Sequence, residues 1–190
     1  MKHDPTFWLI ARASGFVAVL LLTSTVVAGL TLKARVLPRV APAGITDIHR
    51  FLSLTAILAT GVHLVALVVD TAVDVPILGA FVPGLVGYRT VWTSVGVVVM
   101  ELMVVIHLSF RLRKVIGRKN WRRLHYMTYL TFGGAVTHGL LAGTDSGKLW
   151  ALLGYGAAVG LVVSLTAWRV DAVRTKRAAT AAKVQTAVGG

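Results

Sequence analysis

A chain of 190 residues that is 56% hydrophobic and only 14% charged, with a mean hydropathy of +0.76, is too apolar for an ordinary soluble domain. Its net charge of +13 does not mark a nucleic-acid binder, because the basic residues flank apolar runs instead of interleaving with surface aromatics. Cysteine is absent, which excludes disulfides, thiolate metal sites and any thioether-attached cofactor.

A bilayer core of ~30 Å is crossed by about 20 apolar helical residues. Five segments meet that length: 7–32, 48–69, 90–110, 124–142 and 149–168. The first is too long for a secretory leader, and no small-residue cleavage site precedes Lys33, so it reads as a retained helix. The Pro/Gly stretch from Val75 to Gly87 reads as a longer loop at the membrane interface. The expectation is an all-α integral membrane bundle of five transmembrane helices, one domain over residues 1–168. A short basic tail follows over 169–190 and extends the last helix by a few turns.

The connections differ in charge. Lys33, Arg35, Arg39 and Arg50 surround the first, and Arg111, Arg113, Lys114, Arg118, Lys119, Arg122 and Arg123 crowd the third. Arg169, Arg174, Lys176, Arg177 and Lys183 lie in the tail. Of the other cations, Lys2, Arg12, Arg89 and Lys148 lie elsewhere, and Asp70, Asp74 and Asp145 mark the second and fourth connections. The positive-inside rule then puts the N-terminus outside and the C-terminus in the cytoplasm.

Two histidine pairs stand out within the apolar segments. His49 and His63 are 14 residues apart on the second, and His125 and His138 are 13 apart on the fourth. With both segments running the same way, His49 meets His125 at one depth and His63 meets His138 about 20 Å away. Histidine is costly in hydrocarbon and is a common metal ligand. Paired imidazoles on facing helices can hold the two axial positions of a haem iron. Thirteen residues leave His138 about 140° round an ideal helix from His125. The Gly133–Gly134 pair between them is therefore expected to bend or overwind the helix. Two separated pairs do not make a tetrahedral zinc cluster, and Glu101 is the one acid within the spans, which excludes a di-metal carboxylate site.

The segments from Ile45 to Arg50 and Gly61 to His63, and from Trp121 to Tyr126 and Val136 to Gly139, resemble the haem-binding helices of the ferric reductase transmembrane superfamily. That superfamily includes ferric-chelate reductases and NADPH oxidases, and the 14-and-13 spacing is characteristic of it. Ala11-Arg12-Ala13 is similar to the arginine-bearing segment of its preceding helix, and the stretch from His138 to Gly147 looks like its stand-alone bacterial members. The resemblance covers residues 8–168. It implies two haem b groups, bound by His49/His125 and His63/His138, in a bacterial plasma membrane. Electrons would pass from a cytoplasmic donor protein or quinol to an outer-face acceptor such as ferric iron, because the larger oxidases' sixth span and flavin–NADPH domain have no counterpart here. Trp121-Arg-Arg-Leu-His125 is also similar to the haem-bearing membrane subunit of the periplasmic methionine-sulfoxide reductase system. A non-catalytic membrane subunit with this fold is the other alternative.

Other residues carry two readings each. Arg12 either pairs with a propionate of the outer haem or snorkels to the interface. Arg50 and Arg122 either steady inner-haem propionates or serve as topology charges. His107 reads as structural, Glu101 as hydrogen-bonded to a neighbouring span, and Tyr129 as packing the bundle beside His125.

Overall fold

The computed structural model describes residues 5–34 and 42–188. Lys2, Arg35 and Arg39 lie outside them. Among the described residues the chain is helical with connecting turns and no strand. The helices are α1 (Thr6–Ala34), α2 (Pro42–Val69), α3 (Thr90–Ser109), α4 (Arg113–Ile116), α5 (Arg118–Tyr126), α6 (Thr128–Ala142) and α7 (Leu149–Val188). Of these α1, α2, α3 and α7 are long and apolar enough to cross a membrane. Several of their hydroxyls bond back within the helix, as with Thr23 on the Val19 carbonyl at 2.7 Å and Thr60 on the Ala56 carbonyl at 2.9 Å. Such back-bonding lets a threonine sit in an apolar medium without an orphaned O–H.

The expected fourth span is not one helix. It breaks at Met127, which leaves α6 with 15 residues, or about 22 Å. Four helices of spanning length are therefore present among the described residues, not five. At the break the Met127 N–H reaches the Leu124 carbonyl at 2.9 Å, a tightened i→i−3 turn. Thr128 Oγ1 donates to the His125 carbonyl at 2.8 Å. The irregularity thus lies at Met127, whereas Gly133 and Gly134 are regular parts of α6. Gly134 serves packing instead, because a Cβ there would stand 2.6 Å from the Val99 side chain on α3. The last helix runs on through the basic tail to Val188, 40 residues or about 60 Å in all.

The bundle is built from two helical hairpins. α1 packs antiparallel along α2, and α3 packs antiparallel along α6, while α2 touches α3 and α1 touches α6 only sparingly. α7 lies against α1. Leu22, Val26, Ala56, Met103, Phe132 and Tyr155 form the buried core. Large aliphatic side chains face outward, with Leu20 65% and Leu58 60% exposed, an arrangement that suits lipid and not water. Between α2 and α3 the loop carries one 3₁₀ turn, Ile77–Ala80. At its end Arg89 Nη1 and the Tyr88 hydroxyl donate to the Leu141 and Ala142 carbonyls at 2.7 and 3.3 Å, capping α6.

Candidate functional site: two histidine pairs between the hairpins

The histidines of the first hairpin meet those of the second across the sparsely filled seam. His49 on α2 faces His125 on α5 with ring centres 6.1 Å apart and planes at 65°. His63 on α2 faces His138 on α6 at 6.3 Å and 86°. The first pair lies at the basic end of the bundle, beside the cations of α4 and α5, and the second at the acidic end, with Asp70 and Asp145. His125 and His138 thus lie on two helices joined by the tightened turn at Met127.

Three of the rings are held in the same way. Nδ1 of His63 donates to the Ala11 carbonyl at 2.6 Å, Nδ1 of His49 to Thr25 at 2.9 Å and Nδ1 of His138 to Trp92 at 2.7 Å. A carbonyl can only accept, so Nδ1 carries the proton and Nε2 keeps its lone pair. Each accepting carbonyl lies four residues before a glycine on the neighbouring helix: Ala11 before Gly15, Thr25 before Gly29, Trp92 before Gly96. In a helix the side chain at i+4 leans back over the carbonyl at i, so a glycine there uncovers it. A Cβ on Gly15 would stand 3.1 Å from His63 Nδ1, one on Gly29 3.2 Å from His49 Cε1, and one on Gly96 2.5 Å from His138. These glycine seats escaped the sequence reading. Their signal was the 14-residue interval from Gly15 to Gly29, which mirrors that from His49 to His63 on the antiparallel partner.

His125 is held differently. Its ring stacks on Trp121, one turn earlier on α5, at 5.1 Å and 19°. Trp121 in turn meets Phe110 edge-on at 6.3 Å. The Arg113 guanidinium sits 5.5 Å from the Phe110 ring centre and 5.6 Å from that of Trp121, and the Arg50 guanidinium 5.2 Å from Phe110. Arg50 also makes a loose, exposed ion pair with Asp47 at 3.9 Å, and Arg122 is exposed on α5.

At the acidic end a mostly apolar cavity of about 290 Å³ is lined by Arg12, His63, Met100, His138, Asp145 and Tyr155, among others. Arg12 is answered by the chain itself: Nε donates to Asp145 Oδ2 at 2.6 Å, and the guanidinium lies 4.1 Å over the Trp8 ring. His107 does not join either pair; its Nδ1 bonds Ser53 Oγ at 2.9 Å and ties α3 to α2. Glu101 is exposed on α3, and Tyr129 is 37% exposed and does not pack into the core.

Opposed axial ligation has a definite ring spacing. Two metal–nitrogen bonds of about 2.0 Å, with each ring centre about 1.1 Å beyond its nitrogen, put the centres about 6 Å apart. The two ring spacings, 6.1 and 6.3 Å, are close to that value. Among the described residues no group of three or more His, Asp or Glu forms a metal site. A metal at either pair would therefore take two ligands from these rings and its remaining ligands from outside the described residues. The chain matches no known family, no characterised protein and no solved structure.

Proposed function

We propose that this chain is a di-haem b-type membrane cytochrome, with one haem between His49 and His125 and the other between His63 and His138. The observation that carries the reading is the twice-repeated spacing of 6.1 and 6.3 Å between opposed imidazoles, three of them with Nδ1 engaged and Nε2 left to bind. A porphyrin would supply the donors that a metal held by two imidazoles lacks among the described residues. At the acidic end the seam between the hairpins, lined by small residues and apolar walls, suits a flat ring.

Such a group supplies one-electron chemistry at iron. The chain's part would be to hold each group between two imidazoles, His49 with His125 and His63 with His138, and to keep the two sites about 21 Å apart along α2. The carbonyl behind each Nδ1 fixes ring orientation and makes Nε2 a stronger donor. Arg12, engaged with Asp145 beside the cavity, offsets negative charge at the acidic end.

In this reading α6 is a short fifth crossing, completed by the membrane-surface helix α5. The basic end faces the cytoplasm and the N-terminus lies outside, in a bacterial plasma membrane. Electrons enter at the basic end from a donor protein or a quinol. They leave at the acidic end to an acceptor such as ferric iron.

Purified chain should show a reduced b-type spectrum with about two haems per polypeptide. His63→Ala should remove one haem and leave the other; a colourless protein, or loss of both or neither, would overturn the proposal and favour a non-catalytic subunit.

A further inference from the structure

The two ends treat their cations differently. At the acidic end the chain itself supplies the carboxylate that answers Arg12. At the basic end Trp121 stacks on His125, and Arg113 lies over Trp121. Trp121 Nε1–H is buried and, among the described residues, has no hydrogen-bond partner. An indole N–H taken from water without an acceptor is a cost the fold accepts only where an acceptor arrives from elsewhere. Arg113 hangs over the same indole, and both Arg113 and Arg50 face Phe110, the ring against which Trp121 packs. Asp47, the carboxylate paired with Arg50, is 3.9 Å away with its side chain 74% exposed, so it leaves most of that guanidinium's donors available.

We infer that Trp121, Arg113 and Arg50 form a seat for a carboxylate, and that its occupant is a propionate of the haem held by His49 and His125. The inference rests on the di-haem reading. Its chemistry is ordinary: guanidinium forks and an indole N–H are donors only, and a carboxylate accepts from several at once. Trp121 lies four residues before His125 on α5, so ligand and donor share one helix face. A group ligated by one is brought within reach of the other. Arg113 and Trp121 thereby join Arg50 as positioning residues of the basic-end site.

The test uses the loaded chain. Trp121→Phe keeps an aromatic ring beside His125 and removes the N–H, and Arg113→Gln removes the cation. Both should lower the midpoint potential of the His49/His125 haem and leave the other unmoved, because a less neutralised propionate favours ferric iron. Arg113→Gln should give the larger shift. The propionate-bending band in the resonance Raman spectrum of that haem should move in both variants. Potentials that ignore both substitutions overturn the seat while leaving the di-haem reading standing. A shift in potential with an unmoved propionate band, reproduced in wild type by added phosphate or by phosphatidylglycerol vesicles, assigns the seat to a free anion or lipid headgroup and overturns the propionate. A wild-type chain that carries no haem overturns the underlying reading and this one with it.

Discussion

The acidic-end and basic-end histidine pairs reach nearly the same ring spacing by different constructions. At the acidic end both rings rest on carbonyls of long helices, each exposed by a glycine, and both line one cavity. At the basic end His49 has such a seat on α1, whereas His125 rides on the nine-residue α5 and leans on its own Trp121. That short helix is bounded by Gly117, at φ 80°, and by the break at Met127. A site held from two long hairpins is specified by tertiary packing. A site with one arm on a short surface helix is specified partly by local sequence, and it can respond to what docks beside it.

Removing a ligand gives the largest effect at either end: His138→Ala should empty the acidic-end site and His125→Ala the basic-end one, each read as loss of one haem per chain. The glycine seats come next and grade the comparison. Gly96→Ala, whose Cβ would stand 2.5 Å from His138, should weaken haem retention at the acidic end by about 100-fold. Gly15→Ala and Gly29→Ala meet their histidines at 3.1 and 3.2 Å and should cost about 10-fold, at the acidic and basic ends respectively. Gly61→Ala has nothing within 4 Å and should change neither site. Haem-transfer kinetics to an apoprotein acceptor would measure all four; equal effects across the series would sink the seat geometry.

Ion pairs give the smallest effects and again separate the ends. Asp145→Asn strands Arg12, whose side chain is 29% exposed, and should lower stability by about 2 kcal/mol. Asp47→Asn releases Arg50 from a pair whose side chains are 57% and 74% exposed and should cost less than about 0.5 kcal/mol. Thermal unfolding in one detergent compares the two, and the account fails on this point if the order reverses.

How much of this was legible in sequence differs by residue. The apolar runs and the histidine intervals are local patterns, so the helices α1, α2, α3 and α7 and the pairing of the rings could be read directly. The break at Met127 could not, because hydropathy runs on through it without a proline, and the turn is made by Leu124, Met127 and Thr128 backbone and hydroxyl bonds. Gly133 and Gly134 attracted the bend in the sequence reading because two glycines usually soften a helix. Here Gly134 instead admits Val99 from α3, a reason visible only once α3 and α6 are docked. The Arg12–Asp145 pair spans 133 residues of sequence, and no local rule joins them. The tail's alanines and cations read as a solvated end that prolongs the last helix, and α7 does run on through them to Val188.

The most direct test of the central claim is the low-temperature electron paramagnetic resonance spectrum of the oxidised, purified chain. Two imidazoles on one ferric haem make it low-spin, and steeply crossed ring planes, here 65° and 86°, give strongly anisotropic signals. Two such low-spin species per chain are expected, one lost in His49→Ala and the other in His63→Ala. A single species, a high-spin ferric signal in the wild-type chain, or no haem signal at all would contradict it.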